Sequence, residues 1–531
     1  MLHHRLQEVV ERFPANVALT DGDAALSYRE LWERAGRVAA GLGARGVGPG
    51  DRVCLLAGNG VGAVTLFWAV LRRGATVVHL NEQTPAEGLG RIVEDADPVL
   101  IVATAALRAS RLTALAAAPD APATVDLDAL MAEASADPVS PGPAPASPEP
   151  DAGPADADRI ATIVYTSGST GRPKGVCLTH RNLVAVAAMA GDGYATVPGD
   201  DYLMVVPLHY VHGLMILVTM HLRGAGIRFG PGFAFPRLVT RELQRSGVTG
   251  FSGVPYHFAA LIERGGFLEA ELPRLRWIGI TGGRCGVERL AEIRAAQPGI
   301  EIHLSYGQTE CSPRITALDP ARVDRKPESV GRPAAGLAVE FLGEDGLPVA
   351  PGEVGELVVA GPTVMHGYWR DPEGTARVVD DRGRLHTGDL GHVDAEGDVF
   401  IRGRRQAMIK TAGERIFPEE LEAILGRCPR VVDAAVVGVP DPLYGQRVEA
   451  HVVLDPDDGA SLEAAKAHCL AHVPFARAPR VWHRWARFPL KANGKTDRRR
   501  LAEAVADGAG GRDDRDGGSR TDGTNVPVDA P

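Results

Sequence analysis

The run Ile163-Val-Tyr-Thr-Ser-Gly-Ser-Thr-Gly-Arg-Pro-Lys-Gly-Val176 leads from an apolar, strand-like segment into a loop rich in glycine and hydroxyl side chains. Glycines allow backbone N–H groups to come close to an anion, and successive N–H groups form an anion-binding concavity. The hydroxyl groups add donors, and Lys174 adds a positive charge for phosphate. The loop is therefore predicted to bind a polyphosphate.

This loop differs from the P-loop of common nucleoside triphosphatases, in which Gly directly precedes Lys and Ser or Thr follows it. Here Pro173 precedes Lys174 and Gly175 follows it. The spacing argues against an unrelated nucleoside triphosphatase of that class. A plain surface loop is the alternative, and the ordered mixture of residues directly after a buried strand disfavours it.

On both sides of the loop, the sequence alternates helix and strand signals. Ser27 and Glu30 form a capping box at the start of an amphipathic helix. A strand pattern at 52–56 is followed by a helix pattern at 63–71. Such alternation predicts an α/β fold, with a large N-terminal domain built on mostly parallel βα-type sheets. Short strands with glycine turns from about 333 to 401 predict a small β-rich subdomain, and a mobile, small α+β domain follows.

The predicted domain boundaries follow shifts in composition. Residues 1–402 are expected to form the N-terminal domain, 403–502 the C-terminal domain and 503–531 a disordered tail. Residues 137–158 are rich in Pro, Ala, Ser, Gly and Asp, and they are predicted to form a mobile linker inside the first domain.

The composition excludes several classes of protein. With 57 basic and 67 acidic residues among 531, the chain has a formal net charge of −10, which argues against a general nucleic-acid binder. The six cysteines contain no local pair typical of a zinc or redox site, so they indicate a reduced, cytoplasmic protein. The N-terminus lacks a signal-peptide pattern. An integral membrane protein is not expected, because the longest apolar stretch, residues 61–71, is about half of a membrane span.

Four further motifs carry groups suited to a nucleotide. The run Ser305-Tyr-Gly-Gln-Thr-Glu310 follows a strand pattern, and Glu310 is an oxygen ligand suited to Mg²⁺. Asp389 lies in a Thr-Gly-Asp-Leu turn and can accept hydrogen bonds from both hydroxyls of a ribose. Arg404 offers a charged fork for ribose or phosphate oxygens, and a tight Asn-Gly turn presents Lys495 at its exit.

Taken together and in this order, the motifs resemble those of the adenylate-forming superfamily, which includes acyl- and aryl-CoA synthetases, adenylation domains of peptide synthetases and firefly luciferase. The resemblance extends from about residue 10 to 502. It implies that the N-terminal domain binds ATP and a carboxylic acid, and that the C-terminal domain is a lid carrying a catalytic lysine. The loop residues implied to bind ATP are Thr166, Ser167, Gly168, Ser169, Thr170, Gly171 and Lys174.

The resemblance also assigns roles to the other motifs. It implies that Tyr306 stacks on adenine, Thr309 contacts the α-phosphate, Glu310 binds Mg²⁺ and Asp389 holds the ribose. The candidates for catalysis are Lys495, Thr309, Glu310 and His212. The other residues implied to bind ATP or the thiol cofactor are Gly282, Gly283, Gly307, Arg404, Lys410, Gly413 and Arg415. The hinge of the lid usually has Asp or Lys, whereas this chain has Gln406.

By the same resemblance, the acid pocket is lined by His209, Tyr210, His212, Gly253, Val254, Gly282 and Arg284. Adenylation domains for α-amino acids carry an Asp near the histidine motif, and residues 205–215 contain none. An acid without an α-amino group is therefore expected. Arg284 stands where the family usually has small residues. It either pairs with a second anionic group of the substrate or points to solvent.

These roles imply an ATP-dependent acid–thiol ligase, foremost an acyl-CoA synthetase. The acid attacks the α-phosphorus of ATP, pyrophosphate leaves, and the thiol of coenzyme A takes the acyl group from the acyl-AMP. The alternatives are a stand-alone adenylating enzyme, which loads a carrier protein or forms an amide, and a non-catalytic nucleotide-binding homologue. The implied cofactors and partners are ATP, Mg²⁺, coenzyme A or a phosphopantetheine carrier protein, and a small carboxylic acid, with no nucleic acid and no membrane.

Overall fold

Alternating strands and helices build the chain, as the sequence pattern predicts. The computed structural model describes residues 1–113, 121–136, 154–167, 173–411, 414–428, 431–455, 461–489, 496–506 and 511–512. The chain divides into two compact units. The first consists of Met1–Glu353, Leu357–Thr387 and Val393–Phe400, and the second of Val354–Glu356, Gly388–His392 and Ile401–Pro531. The domain boundary expected between residues 402 and 403 stays a prediction.

The helices and strands have the following bounds. The α-helices span Leu2–Arg12, Tyr28–Ala44, Val61–Arg72, Ala86–Ala96, Ala105–Leu107, Leu127–Ala136, His180–Gly193, Val211–Leu222, Pro236–Arg245, Pro255–Ala260, Val287–Ala296, Pro372–Ala376, Pro418–Gly426, Leu462–His472 and Arg498–Ala506. The strands are β1 (Val17–Asp21), β2 (Ala24–Ser27), β3 (Arg52–Leu56), β4 (Thr76–His79), β5 (Leu100–Ala103), β6 (Ala123–Asp126), β7 (Ile160–Ser167), β8 (Pro173–Thr179), β9 (Asp201–Met204), β10 (Gly226–Phe229), β11 (Gly250–Gly253), β12 (Trp277–Ile280), β13 (Glu301–Tyr306), β14 (Thr316–Leu318), β15 (Arg332–Pro333), β16 (Ala338–Leu342), β17 (Gly355–Ala360), β18 (Gly367–Tyr368), β19 (Leu385–Val393), β20 (Val399–Arg404), β21 (Ile409–Thr411), β22 (Glu414–Ile416), β23 (Val431–Asp441), β24 (Gly445–Leu454), β25 (Val481–Trp485) and β26 (Gly511–Arg512).

One sheet of the first unit contains the strands that flank the phosphate loop, in the order β18-β8-β7-β4-β3-β5-β6. The strands from β7 to β6 pair in parallel, whereas β8 is antiparallel to both β7 and β18. Val53 and Leu55 of β3 pack into one hydrophobic core, and Cys54 and Leu56 pack into another. Both faces of the sheet are therefore buried, which explains the unbroken apolar strand pattern.

A second sheet of this unit has the order β15-β14-β13-β12-β11-β9-β10-β1-β2. Its strands β9 to β13 pair in parallel with their neighbours, and β14 and β15 form an antiparallel edge. The carboxyl ends of β11, β12 and β13 consequently lie side by side. In open α/β sheets, ligands bind outside these strand ends.

The α/β class predicted from the sequence is confirmed. The expected capping box opens the helix Tyr28–Ala44: the Glu30 N–H donates to Ser27 Oγ (3.3 Å), and the Ser27 N–H donates to Glu30 Oε2 (2.8 Å). The predicted β-rich region forms a small sheet with the order β16-β17-β19-β20.

The second unit has a sheet and a hydrophobic core of its own. Its strand order is β22-β21-β24-β25-β26, and β23 pairs with β24. Val436 of β23 packs with Ala450 and Val452 of β24 and with Leu421 and Leu425 of the helix Pro418–Gly426.

Two expectations fall partly outside the described residues. Of the predicted linker 137–158, residues 137–153 lie outside them, whereas Pro154–Asp158 form a 3₁₀-helix in which Asp158 pairs with Arg181. Of the predicted tail, the helix Arg498–Ala506 covers the first four residues. All six cysteines are free and buried. Across the described ranges, every helix is too short or too polar to span a bilayer.

Candidate active site

The segments after β11, β12 and β13 bring together the motifs predicted to bind the nucleotide and the acid. Thr281 connects them: its N–H donates to the Gly253 carbonyl (3.1 Å), and its Oγ1 donates to the Ser305 carbonyl (2.9 Å). Gly282, which follows directly, has a φ of +79°, a backbone conformation that favours glycine. The structure thus places Gly253, Gly282 and Tyr306 at neighbouring strand ends.

The loop that carries Thr309 and Glu310 folds back on itself. A Cβ on Gly307 would lie 1.5 Å from the Pro313 carbonyl oxygen, so only glycine fits at this position. The Ile315 N–H donates to the Tyr306 carbonyl (2.9 Å) and closes the base of the loop.

Residues 363–365 anchor the same loop from outside. Ser312 Oγ donates to the Thr363 carbonyl (2.8 Å), and the Met365 N–H donates to the Glu310 carbonyl (2.9 Å). These contacts fix the short 3₁₀-turn Thr309–Cys311 and with it the direction of both candidate side chains.

The phosphate loop is the connection of an antiparallel hairpin. Strands β7 and β8 pair with Thr166 opposite Lys174, and directly opposed residues of such a pair project from the same face. The side chain of Ser167 and the loop residues Gly168, Ser169, Thr170 and Gly171 lie outside the described residues, so their roles stay predictions.

Tyr368 joins the hairpin to the Glu310 loop. The ammonium group of Lys174 lies 4.6 Å from the centre of the Tyr368 ring, within the range of a cation–π contact. The Tyr368 hydroxyl donates to Glu310 Oε1 (2.9 Å). Strand β18 holds the tyrosine in place through its pairing with β8, with Tyr368 opposite Val176. Lys174 and Glu310, which are far apart in sequence, therefore contact one side chain.

Glu310 fits the role of a magnesium ligand. Its Oε1 is oriented by the Tyr368 hydroxyl, and among the described residues Oε2 accepts no hydrogen bond. Mg²⁺ in phosphate sites is usually held by one or two carboxylates together with the phosphates and water. A single oriented carboxylate beside a phosphate loop matches that donor set.

His212 is part of a buried hydrogen-bond network beneath the predicted acid pocket. Its Nε2 lies 2.8 Å from Ser252 Oγ, which in turn lies 2.5 Å from the Tyr202 hydroxyl. Burial, with smaller contributions from His257 and Arg314, lowers the pKa of His212 to about 4. A neutral, hydrogen-bonded imidazole favours a pocket-forming role over proton transfer, and the catalytic role of His212 stays a prediction.

The other predicted pocket residues have varied surroundings. The rings of His209 and Tyr210 are 4.3 Å apart, and burial lowers the pKa of His209 to about 4. Arg284 pairs with Glu328, and its side chain is 40% exposed, which supports the solvent-facing alternative. Its pairing with a substrate stays a prediction.

The sequence alone did not point to His257, a neighbour of the predicted pocket residue Val254. The His257 ring stacks on Phe233 at 3.9 Å, and its Nδ1 accepts a hydrogen bond from the Val254 N–H (3.3 Å).

In the second unit, Asp389 and Arg404 are paired with each other. Arg404 Nε lies 2.6 Å from Asp389 Oδ1; the carboxylate is buried, and the arginine side chain is 55% exposed. The adjacent Arg405 pairs with Glu356 (2.6 Å). Gln406, the predicted hinge residue, is exposed in the turn that follows β20.

The residues predicted to meet the thiol acceptor lie on a hairpin of this unit. Lys410 of β21 lies opposite Arg415 of β22 in the register of the two antiparallel strands. Both side chains are exposed. Gly413 and Lys495 lie outside the described residues. A hydrogen bond connects the residues that flank the Lys495 segment: the Asp497 N–H donates to the Pro489 carbonyl (2.8 Å).

Comparisons with known proteins agree with this geometry. The family model of AMP-binding enzymes matches residues 6–369, and the model of the AMP-binding enzyme C-terminal domain matches residues 420–495. A feruloyl-CoA synthase of Amycolatopsis sp is 34% identical over 494 residues, 91% of this chain and 94% of that protein. An L-proline–[L-prolyl-carrier protein] ligase of Pseudomonas fluorescens is 34% identical over 518 residues, 95% of this chain and 99% of that protein.

A solved structure shows the same likeness. The ATP-bound MatB of Rhodopseudomonas palustris superposes with a TM-score of 0.84 at 29% sequence identity, covering 95% of this chain and 99% of that one. Because the family model spans most of the chain and the relatives align over nearly its full length, the chain belongs to the AMP-binding enzyme family.

Proposed function

We propose that this protein is an ATP-dependent acid–CoA ligase, which activates a carboxylic acid as acyl-AMP and transfers the acyl group to coenzyme A. The observation that carries the proposal is the contact of Lys174 and Glu310 with the single side chain of Tyr368. It provides a cation for phosphate and an oriented carboxylate for magnesium on either side of one tyrosine. The relatives that are CoA ligases support the same reaction.

Positioning and electrostatics account for the first step. Attack of the acid on the α-phosphorus expels pyrophosphate, whose charge must be neutralised as it leaves. Thr166 and Lys174 supply a hydroxyl and a positive charge on the phosphate hairpin. Glu310 would hold Mg²⁺, which supplies charge neutralisation on the phosphates when bound. Lys495 is the proposed donor to the α-phosphate, and Asp389 the proposed ribose contact.

The pocket favours an acid without an α-amino group. Residues 205–215 contain no carboxylate to hold an ammonium. Burial keeps His209 and His212 neutral above a pH of about 4, and neutral imidazoles suit an uncharged acyl group.

A second candidate is a ligase that loads a carrier protein. The carrier-protein ligase of Pseudomonas fluorescens, 34% identical to this chain, favours it. The exposed Lys410 and Arg415 also suit either acceptor, because coenzyme A carries phosphates and carrier proteins can present acidic surfaces.

A cytoplasmic location is proposed on the basis of the six free cysteines. The net charge of −10 argues against a nucleic-acid partner.

Pyrophosphate release across a panel of acids, with and without coenzyme A, tests the proposal. We expect release that depends on the acid and a thioester that appears only when coenzyme A is added. Thioester formation on a phosphopantetheine carrier alone would favour the second candidate. Absence of acid-dependent pyrophosphate release with every acid would refute both.

A further inference from the structure

A second cluster of positive charge lies at the β13–β14–β15 edge of the nine-stranded sheet. The cavity there has a volume of about 430 Å³, and all its lining residues belong to the first unit. Three arginines line it, Arg314, Arg322 and Arg332, together with Asp319 and Asp398. The phosphate hairpin, by contrast, belongs to the other sheet of this unit.

Arg314 is the unusual member of the cluster. The residue is 3% exposed, and its Nη1 is buried without a hydrogen-bond partner. Among the described residues, no carboxylate lies within ion-pairing distance of its guanidinium. An arginine keeps its charge throughout the physiological range, and burying an unpaired charge is costly. The cavity therefore contains a cation that lacks a counterion.

The surrounding structure fixes the position of this guanidinium. It lies over the ring of Tyr194, 4.7 Å from the ring centre, and Tyr194 stacks on Trp277 at 4.2 Å. A Cβ on Gly193 would come within 2.5 Å of Arg314 Nη2, so the end of the helix His180–Gly193 closes off one side. A rigid planar fork of this kind matches the oxygens of a phosphate or carboxylate.

Arg322 and Arg332 pair with Asp398, whereas Asp319, the second carboxylate of the lining, has no ion pair among the described residues. Asp398 is contacted by Arg322, by Lys326 at 2.7 Å and by Arg332 at 3.5 Å. Asp319 accepts a hydrogen bond from the Ala321 N–H (2.9 Å). The buried carboxylate of Asp398 already faces three cations, so it leaves the charge of Arg314 uncompensated.

We propose that this cavity is a second anion-binding site, in which the guanidinium of Arg314 holds a small oxyanion, a phosphate or a carboxylate group. The site is separate from the phosphate hairpin. Arg314 follows the loop that carries Thr309 and Glu310 in the chain. Its backbone packs against Gly307 at the base of that loop. Arg332, whose side chain is 53% exposed, offers a second cation at the rim.

Calorimetric titration of the full chain with inorganic phosphate, and separately with succinate, tests the proposal. In Arg314→Met, which keeps the apolar stem, we expect phosphate or succinate to bind at least about tenfold more weakly, because a charge-assisted hydrogen bond is lost. In Lys174→Ala, which weakens the phosphate hairpin, binding at this site is expected to persist. The anion that binds more tightly to Lys174→Ala, in which the phosphate hairpin is weakened, identifies the chemical class.

Three outcomes would overturn the proposal: no binding of either anion to the wild type, unchanged binding in Arg314→Met, or binding that is lost only in Lys174→Ala. Circular dichroism establishes that each variant is folded. Should Arg314→Met fail to fold, Arg332→Gln provides the second test, with several-fold weaker binding expected. Anomalous diffraction from selenate-soaked crystals of the wild type locates the anion directly, and a peak elsewhere without one at Arg314 would also refute the site.

Discussion

Removal of the Tyr368 hydroxyl tests whether the contact with Glu310 supports catalysis. Tyr368→Phe keeps the ring that faces Lys174 and removes the hydroxyl that donates to the Glu310 carboxylate (2.9 Å). A hydrogen bond to a charged group contributes about 1.5–3 kcal/mol. Because Tyr368 is 9% exposed, water replaces the lost donor poorly. Because about 1.4 kcal/mol corresponds to a factor of ten in rate, we expect kcat/KM to fall by about tenfold or more.

The assay is acid-dependent pyrophosphate release as a function of Mg²⁺ concentration. In Tyr368→Phe, kcat/KM should fall and the Mg²⁺ concentration for half-maximal rate should rise, because the orientation of Glu310 is lost. Tyr368→Leu also removes the cation–π contact, worth about 0.5–2 kcal/mol, and should raise the KM for ATP as well.

Tyr28→Phe is the matched control. Tyr28 is also buried, and its hydroxyl donates to the Ala225 carbonyl (2.6 Å) in the core of the same unit. This variant should lose stability without any change in Mg²⁺ dependence. If Tyr368→Phe showed the wild-type Mg²⁺ dependence and rate, the reasoning from the Lys174–Tyr368–Glu310 contacts would be wrong.

Three further predictions concern the loop, the lysine and the histidines. Gly307→Ala should lower pyrophosphate release by more than about tenfold, because its Cβ would meet the Pro313 carbonyl at 1.5 Å. Lys495→Ala should abolish acid-dependent pyrophosphate release, while coenzyme A still accepts the acyl group from supplied acyl-AMP. Burial lowers the pKa of His212 and His221 to about 4, below the value of about 6.5 in an unfolded chain. Between these two pH values, the two histidines take up protons only in the unfolded state. Their contribution therefore lowers the urea midpoint as the pH falls from about 6.5 to about 4.

The two substitutions each have a control. Gly90→Ala lies in the helix Ala86–Ala96 with open space around the added Cβ, and it should leave the rate unchanged. Lys466→Ala removes an exposed ion pair with Glu463 and should retain both half-reactions. Wild-type pyrophosphate release in Gly307→Ala or Lys495→Ala, or a urea midpoint that rises on acidification, would contradict the respective argument.

The local elements were predictable because their signals are local. The strand pattern at 52–56 matches β3, the helix pattern at 63–71 lies within Val61–Arg72, and the region of short strands predicted from about 333 to 401 contains β16 to β20. Burial of both faces of β3 explains why its apolar run was unbroken. Such patterns depend on a few neighbouring residues, and the surrounding fold agrees with them.

The contacts made by Tyr368 were not predictable in this way. The sequence alone assigned no role to Tyr368, because its contacts depend on the pairing of β18 with β8. Ser252, which contacts both His212 and Tyr202, belongs to no recognisable motif either. Register between distant strands is set by the packing of the whole unit, and one sequence alone does not specify which side chains will meet.

The ion pair between Asp389 and Arg404 affects how Asp389 would make its proposed contact with the ribose. A ribose diol offers two donors and is best held by two free carboxylate oxygens, yet Oδ1 of Asp389 already lies 2.6 Å from Arg404 Nε. The carboxylate is buried, whereas the arginine side chain is 55% exposed and has room to move. A bound ribose would therefore share or displace Arg404, which lies two residues before Gln406. If Asp389 holds the ribose as proposed, we therefore expect nucleotide binding to change the position of Arg404, two residues before the predicted hinge residue Gln406.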